Sequence, residues 1–128
     1  MSEEWEIIHT YSRADAIRDG VLIDVTSTAV ELGYSVPVAL TSAVYEDCVR
    51  WDEDDPRPQN EAGRLWDVLW MAINAARRQT GASRVIFEVL RIDRAGYGNS
   101  PGRVRLAMEI GPGDTPDPVI TIMQPEED

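Results

Sequence analysis

From Glu61 to Gln79 the chain has little choice but to form an amphipathic helix, and a helix of that length dictates what the remaining residues must pack against. Leu65, Leu69, Ala72, Ile73 and Ala76 recur at intervals of three and four, which places them on one stripe of a 3.6-residue period. Asn60 precedes the run as an N-cap and Gly81 follows it as a stop. Glu61 opens the first turn and Arg77 and Arg78 close the last, so the charges oppose the helix dipole at both ends. Trp66, Trp70 and Met71 widen the apolar arc beyond one stripe. The helix is therefore expected to pack on two sides or to carry an interface, with at least one of the two tryptophans buried.

The segments on either side predict shorter elements. Ser12 and Asp15 form a capping box ahead of a short helix over 13–19 that Gly20 ends. Val21 to Val25 reads as a strand or an extended core segment, and Thr26 and Ser27 as caps of a second short helix ending at Gly33. Pro37 holds Val36–Ala39 extended and, lacking a donor, suits only an edge or a link. Thr41 caps a third helix over 42–50, and the prolines and acids of 51–59 make a loop. In the C-terminal third, both alternating sets of Arg84–Asp93 are largely apolar, as in a central strand. Val104, Leu106, Met108 and Ile110 alternate with Arg103, Arg105, Ala107 and Glu109, as in a half-exposed strand, and Val119–Met123 is a third. The Gly- and Pro-rich links predict an antiparallel meander. The fold class is thus α+β: short N-terminal helices and one long central helix packed on a C-terminal three-stranded antiparallel sheet. Residues 1–128 form a single compact domain, with 1–4 and 125–128 expected to be flexible.

Charge bounds the partners. There are 23 acidic residues against 12 basic ones, every base is Arg, and the net charge is -11. Such a chain repels nucleic acid and anionic membrane and is drawn to basic surfaces. The acids concentrate at Glu46, Asp47, Asp52, Glu53, Asp54 and Asp55, with Trp51 among them. These residues are the candidate partner-binding site: the carboxylates would occupy a surface built of Lys and Arg for phosphate, and Trp51 would be its apolar anchor. The plain alternative is a solvated loop that aids solubility.

Other chemistry finds little in the residues. The acids of 52–55 lack the alternating ligands and central Gly of a calcium loop, and no metal or cofactor is expected. Cys48, the only cysteine, falls on the apolar side of its helix with no His near it in sequence. A single Cys fits a reducing cytoplasm, and the acidic N-terminus lacks the pattern of a secretory signal. Apolar runs fall far short of the ~20 residues needed to span a bilayer. The Gly-x-Gly pairs at 96–98 and 111–113 lie between strands and read as turns. His9, in a strand followed by Thr10 and Tyr11, is similar to the first nicotinamide-binding element of ADP-ribosyltransferases; such an enzyme, using His9 and Tyr11, is the alternative reading.

The stretches 11–25 (Tyr-Ser-Arg-Ala-Asp through Val25), 60–71 (Asn-Glu-Ala-Gly-Arg-Leu-Trp through Met71), and Gly111-Pro112-Gly113-Asp114 with Val119–Met123 resemble a family of small bacterial proteins carried on plasmids, phages and integrative elements. The resemblance implies one compact domain and a mobile-element setting; it brings no activity and no functional residue with it. Setting and charge together lead to the expectation of a non-enzymatic anti-defence inhibitor, anti-CRISPR or anti-restriction. Its acidic surface would block a basic surface of a Cascade-like or restriction complex, without binding nucleic acid or membrane itself. An accessory or oligomerisation module, homodimeric through the Trp66/Trp70 face, is the remaining expectation.

Overall fold

The computed structural model describes residues 11–96 and 98–127. His9 and the first four residues lie outside them. The elements in chain order are α1 (Arg13–Arg18), β1 (Leu22–Asp24), α2 (Thr26–Glu31), β2 (Val38–Thr41), α3 (Ser42–Val44), which runs into a π-helical turn (Tyr45–Val49), α4 (Glu61–Arg78), β3 (Arg84–Arg91), β4 (Gly102–Pro112) and β5 (Pro118–Met123).

The capping box forms as the sequence predicts: Asp15 N donates to Ser12 Oγ at 2.9 Å and Ser12 N to Asp15 Oδ2 at 3.2 Å. Asn60 caps α4 through Gly63 N at 2.7 Å. Thr26 behaves differently from the cap expected of it. It is the first residue of α2, and its hydroxyl accepts from Val38 N at 3.0 Å and donates to Asp24 Oδ1 at 2.6 Å, which ties α2 to β2. The third helix also departs from expectation, turning π-helical after Val44, with Arg50 N donating five residues back to Tyr45 O at 2.8 Å.

The sheet is larger than expected: five strands in the order β1-β2-β5-β4-β3, antiparallel except for the β2/β5 pair. The C-terminal meander β3-β4-β5 is present, but β2 adds to it in parallel and β1 closes the other edge. Pro37, taken as a sign of an edge or a link, sits one residue ahead of β2, so its missing donor costs the ladder nothing, and its carbonyl accepts from Ile120 N at 2.9 Å. Val38, Ala39 and Leu40 are accordingly wholly buried in an interior strand. β3 shows the opposite departure. Its sequence suits a central strand, yet among the described residues it pairs only with β4 and forms an edge.

Residues directly opposite on paired strands share a face. Val85, Phe87 and Val89 therefore align with Met108, Leu106 and Val104, and the row continues through Ile122 to Leu40 and Ile23. Helix α4 lies over β3 on this face, burying Val68, Leu69, Ala72 and Ile73, and the π-helical turn fills the space beside it with Cys48 and Val49. On the opposite side, α1 is pinned to the β4–β5 turn: Asp114 accepts from the backbone N–H of Arg13 and Ala14 at 2.7 and 3.0 Å, and the Arg13 guanidinium reaches Thr121 Oγ1 and Ile120 O. Residues 125–127, expected to trail freely, are tied down through Glu127, which accepts from Thr41 Oγ1 at 2.8 Å and Gln124 N at 2.7 Å.

Candidate functional site

The loop between the π-helical turn and α4 has no regular structure, yet it is fastened at every side. Trp51, expected to offer its ring to a partner, is instead 6% exposed. The guanidinium carbons of Arg57 and Arg64 each lie over its ring at 4.7 Å from the centroid. The ring thus serves as an internal post rather than an outward anchor, because two cations cover an aromatic that the acidic sequence around it would otherwise leave wet.

Each cation is held in turn. Arg64 occupies a place on the buried stripe of α4, where Nε donates to Val49 O at 3.1 Å and Nη1 to Ile92 O at 2.8 Å. Burial lowers its pKa from the usual guanidinium value. Arg57 bonds Asp55 through its backbone N (3.0 Å), Nε (3.1 Å) and Nη2 (2.7 Å). Its remaining donors reach Asp93 O, Arg94 O and Gly98 O at 3.2, 3.1 and 2.8 Å. One side chain therefore joins the 51–59 loop to the link between β3 and β4. The hydrogen bonds from Arg57 hold the Asp55 carboxyl down at about 2.

At the start of the loop, Glu61 does similar work. Its carboxylate accepts from Trp51 N at 3.2 Å and from Tyr45 Oη at 2.8 Å, and the tyrosine bond in particular lowers its pKa.

The six acids of the candidate site divide accordingly. Glu46 pairs with Arg50, Asp47 with Arg91 at 2.9 Å, Asp52 with Arg94 at 3.6 Å and Asp55 with Arg57. Glu53 and Asp54, at the exposed tip of the loop, make no ion pair or side-chain hydrogen bond among the described residues. The sequence brings all six close together, but it does not show that four of them are paired with arginines, two of which, Arg91 and Arg94, come from β3 and the link after it. The overlooked signal is Arg64: with Val68, Ala72 and Ala75 it completes an i, i+4, i+8, i+11 stripe, and a charge on such a stripe needs a buried partner.

The other candidates are placed plainly. Cys48 is buried with its thiol pushed up to about 12, chiefly by desolvation, so almost none of it is thiolate at neutral pH. Tyr11 is exposed and donates from its hydroxyl to Asp19 Oδ2 at 2.9 Å. Trp66 and Trp70, one of which was expected to be core, are both open to solvent at 44% and 41% and stack on each other at 5.2 Å between centroids. Trp70 and Met71 share a cleft with Glu88, Val89 and Leu90 of β3. Among the described residues no group of three His, Cys, Asp or Glu side chains is arranged to hold a metal ion, and no helix is long and apolar enough to cross a membrane.

No curated protein and no solved structure matches the chain. One family profile does, over residues 1–128, so that it takes in the ten residues ahead of Tyr11 as well: the chain belongs to DUF6573, a family of unknown function.

Proposed function

We propose that the protein acts without catalysis, as an anti-defence inhibitor of mobile-element origin that occupies a basic surface on a bacterial nucleic-acid-handling complex such as a Cascade-like or restriction complex. The observation that carries this reading is the construction of the 51–59 loop. Trp51 under two guanidiniums, and the six hydrogen bonds donated by Arg57, fix a segment with no ladder of its own and hold Glu53 and Asp54 outward. A loop ordered before contact loses less entropy on binding, which is where preorganised surfaces gain affinity. The net charge of -11 steers such a loop to a cationic target and away from nucleic acid itself.

In this reading the contact narrows to the tip. Glu53 and Asp54 meet the target's Arg and Lys, Asp52 joins them at the cost of a long ion pair, and Asp55 and Trp51 position the loop without touching the partner. The test is a transformation assay in a host with active CRISPR or restriction immunity, expressing wild-type protein or Glu53→Gln/Asp54→Asn. The wild type is expected to raise plasmid uptake, and the double variant to lose most of that rise while keeping the wild-type denaturation midpoint. Uptake unchanged by wild-type protein across several defence types removes the inhibitor reading; inhibition retained by the double variant removes the loop.

A further inference from the structure

The sequence of β3 and its place in the sheet disagree. Val85, Phe87 and Val89 point into the core, but the opposite face also carries Ile86 and Leu90, at 36% and 57% exposure. Two large apolar side chains on the outer face are more usual of an interior strand, and edge strands ordinarily carry a Pro, a bulge, charged side chains or a cover. β3 has eight residues in unbroken register with β4 and no Pro, and the charges on its outer face, Arg84 and Glu88, are opposite in sign and so can pair across a seam. Its free side is also chemically ready. Ser83 O accepts from Ile110 N at 2.9 Å, and antiparallel pairing alternates, so the odd-numbered residues turn their backbone groups toward β4. Arg84, Ile86, Glu88 and Leu90 turn their N–H and C=O groups to the open edge. Helix α4 lies over β3 and places Trp70 and Met71 in one cleft with Glu88, Val89 and Leu90, with Trp66 stacked behind.

We propose that a second copy of this chain covers that edge: two β3 strands pair antiparallel about a two-fold axis at Ile86, making one ten-stranded sheet, and the Trp66, Trp70 and Met71 faces of the two α4 helices pack together above the seam. Charge selects the register. With the axis at Ile86, Ile86 faces the partner's Ile86, Arg84 faces the partner's Glu88, and Leu90 faces the partner's Ala82. Within the chain Arg84 lies opposite Glu109 and Glu88 opposite Arg105. Across the seam the row therefore reads Glu109, Arg84, the partner's Glu88, the partner's Arg105, alternating in sign over four strands. Moving the axis to Phe87 sets Ile86 against the partner's Glu88, and moving it to Glu88 opposes two carboxylates; both are unfavourable cross-strand pairs. The interface is isologous and closes on itself, so it makes a dimer and not a fibre. It does not depend on the acidic loop binding anything. If the loop does bind, the dimer presents it twice, and avidity follows.

Size-exclusion chromatography with light scattering on the full chain tests this over a wide concentration range. The expected mass is twice the 14.3 kDa of one chain. Arg84→Glu and Glu88→Arg alone are each expected to yield monomer, and the fourfold exchange Arg84→Glu/Glu88→Arg/Arg105→Glu/Glu109→Arg, which keeps every cross-strand pair in the row opposite in sign, to restore the dimer. Ile86→Pro removes an N–H that no described residue accepts and is also expected to yield a folded monomer, as is Trp66→Gln/Trp70→Gln at exposed helix positions. Wild-type protein that stays monomeric at every concentration overturns the proposal. So does a dimer indifferent to both Ile86→Pro and the tryptophan exchange, while a dimer not rescued by the fourfold charge exchange overturns the axis at Ile86.

Discussion

The Arg57 guanidinium lies over the Trp51 ring, and the same side chain holds the Asp55 carboxylate through three hydrogen bonds at 2.7 to 3.1 Å when its backbone N–H is counted. An aromatic, a cation and an anion within seven residues thus form one fastening, and its strength depends on the proton that Asp55 lacks.

Stability is expected to follow that proton. The Asp55 pKa falls from about 3.9 in an unfolded chain to about 2 in the fold. A depressed folded value means that the contribution is fully present above the unfolded pKa and is lost as pH falls through the folded one. Urea denaturation midpoints measured from pH 6 down to pH 2 are expected to decline more steeply for wild type than for Asp55→Asn, with the two curves converging at the acid end. Parallel curves would show that Asp55 is not held by Arg57 in solution.

Replacing Trp51 is expected to loosen the loop as well as destabilise the fold. Burying a Trp and then truncating it costs about 3–5 kcal/mol, so Trp51→Ala is expected to lower the denaturation midpoint severely. Trp51→Phe keeps a ring beneath the two guanidiniums and is expected to lose much less. A protease that cuts after Glu is the local readout: cleavage at Glu53 is expected to be slow in wild type, intermediate in Trp51→Phe and fast in Trp51→Ala. Equal cleavage rates would mean that the ring does not restrain the tip.

Arg64 is the second wall of this clamp, and its loss is expected to act through the carbonyls it serves. In Arg64→Met the aliphatic bulk remains, but Val49 O and Ile92 O lose their side-chain donor. Each buried acceptor left without a partner costs about 1–3 kcal/mol. Calorimetry is expected to show a loss in that range or beyond, with little recovery in Arg64→Lys, whose single ammonium cannot bond both carbonyls and cover the ring together. A neutral Arg64→Met would imply that water takes over both acceptors.

How much of this was open to sequence reasoning depends on how far apart the interacting residues lie. Helix α4 was legible because its cap, its period and its end charges all fall within twenty residues of one another. The β4 and β5 strands were legible for the same reason, joined by a short turn. The parallel contact of β2 with β5 was not, since nothing local in Val38–Leu40 records a partner eighty residues away. The acidic loop was legible as a loop and as acidic, but not as one whose acids are largely paired with arginines. Charge counted along the chain does not reveal that Arg91, Arg94 and Arg64 arrive from other elements to meet it. Both exposed tryptophans and the apolar outer face of β3 were visible as apolar residues, but whether such residues become core or interface is decided only when the sheet order is known.

Cys48 is expected to be silent until the protein unfolds. Its thiol is buried and pushed up to about 12, so almost no thiolate exists at pH 8. A disulfide-exchange reagent such as Ellman's is expected to titrate one thiol in denaturant and none on the same timescale in native buffer. Rapid native reaction would place Cys48 at the surface and reopen the π-helical turn as a reactive site.

Gly113 offers a test of how α1 is attached. A Cβ built there would come within 2.9 Å of Val119 Cγ1, closer than two carbons tolerate, and the neighbour is a stiff β-branched side chain. The adjacent Asp114 is the residue whose carboxylate accepts from the first N–H groups of α1, so a shift that relieves the clash pulls that carboxylate away from Arg13 and Ala14. Overpacking of this kind costs about 1–3 kcal/mol, and Gly113→Ala is expected to fall in that range. Val119→Ala makes room, so the double variant is expected to be more stable than the sum of the two single losses predicts. A double-mutant cycle reads the difference directly. Simple additivity would mean that the turn between β4 and β5 takes the added methyl without pressing on Val119 and without disturbing its hold on α1.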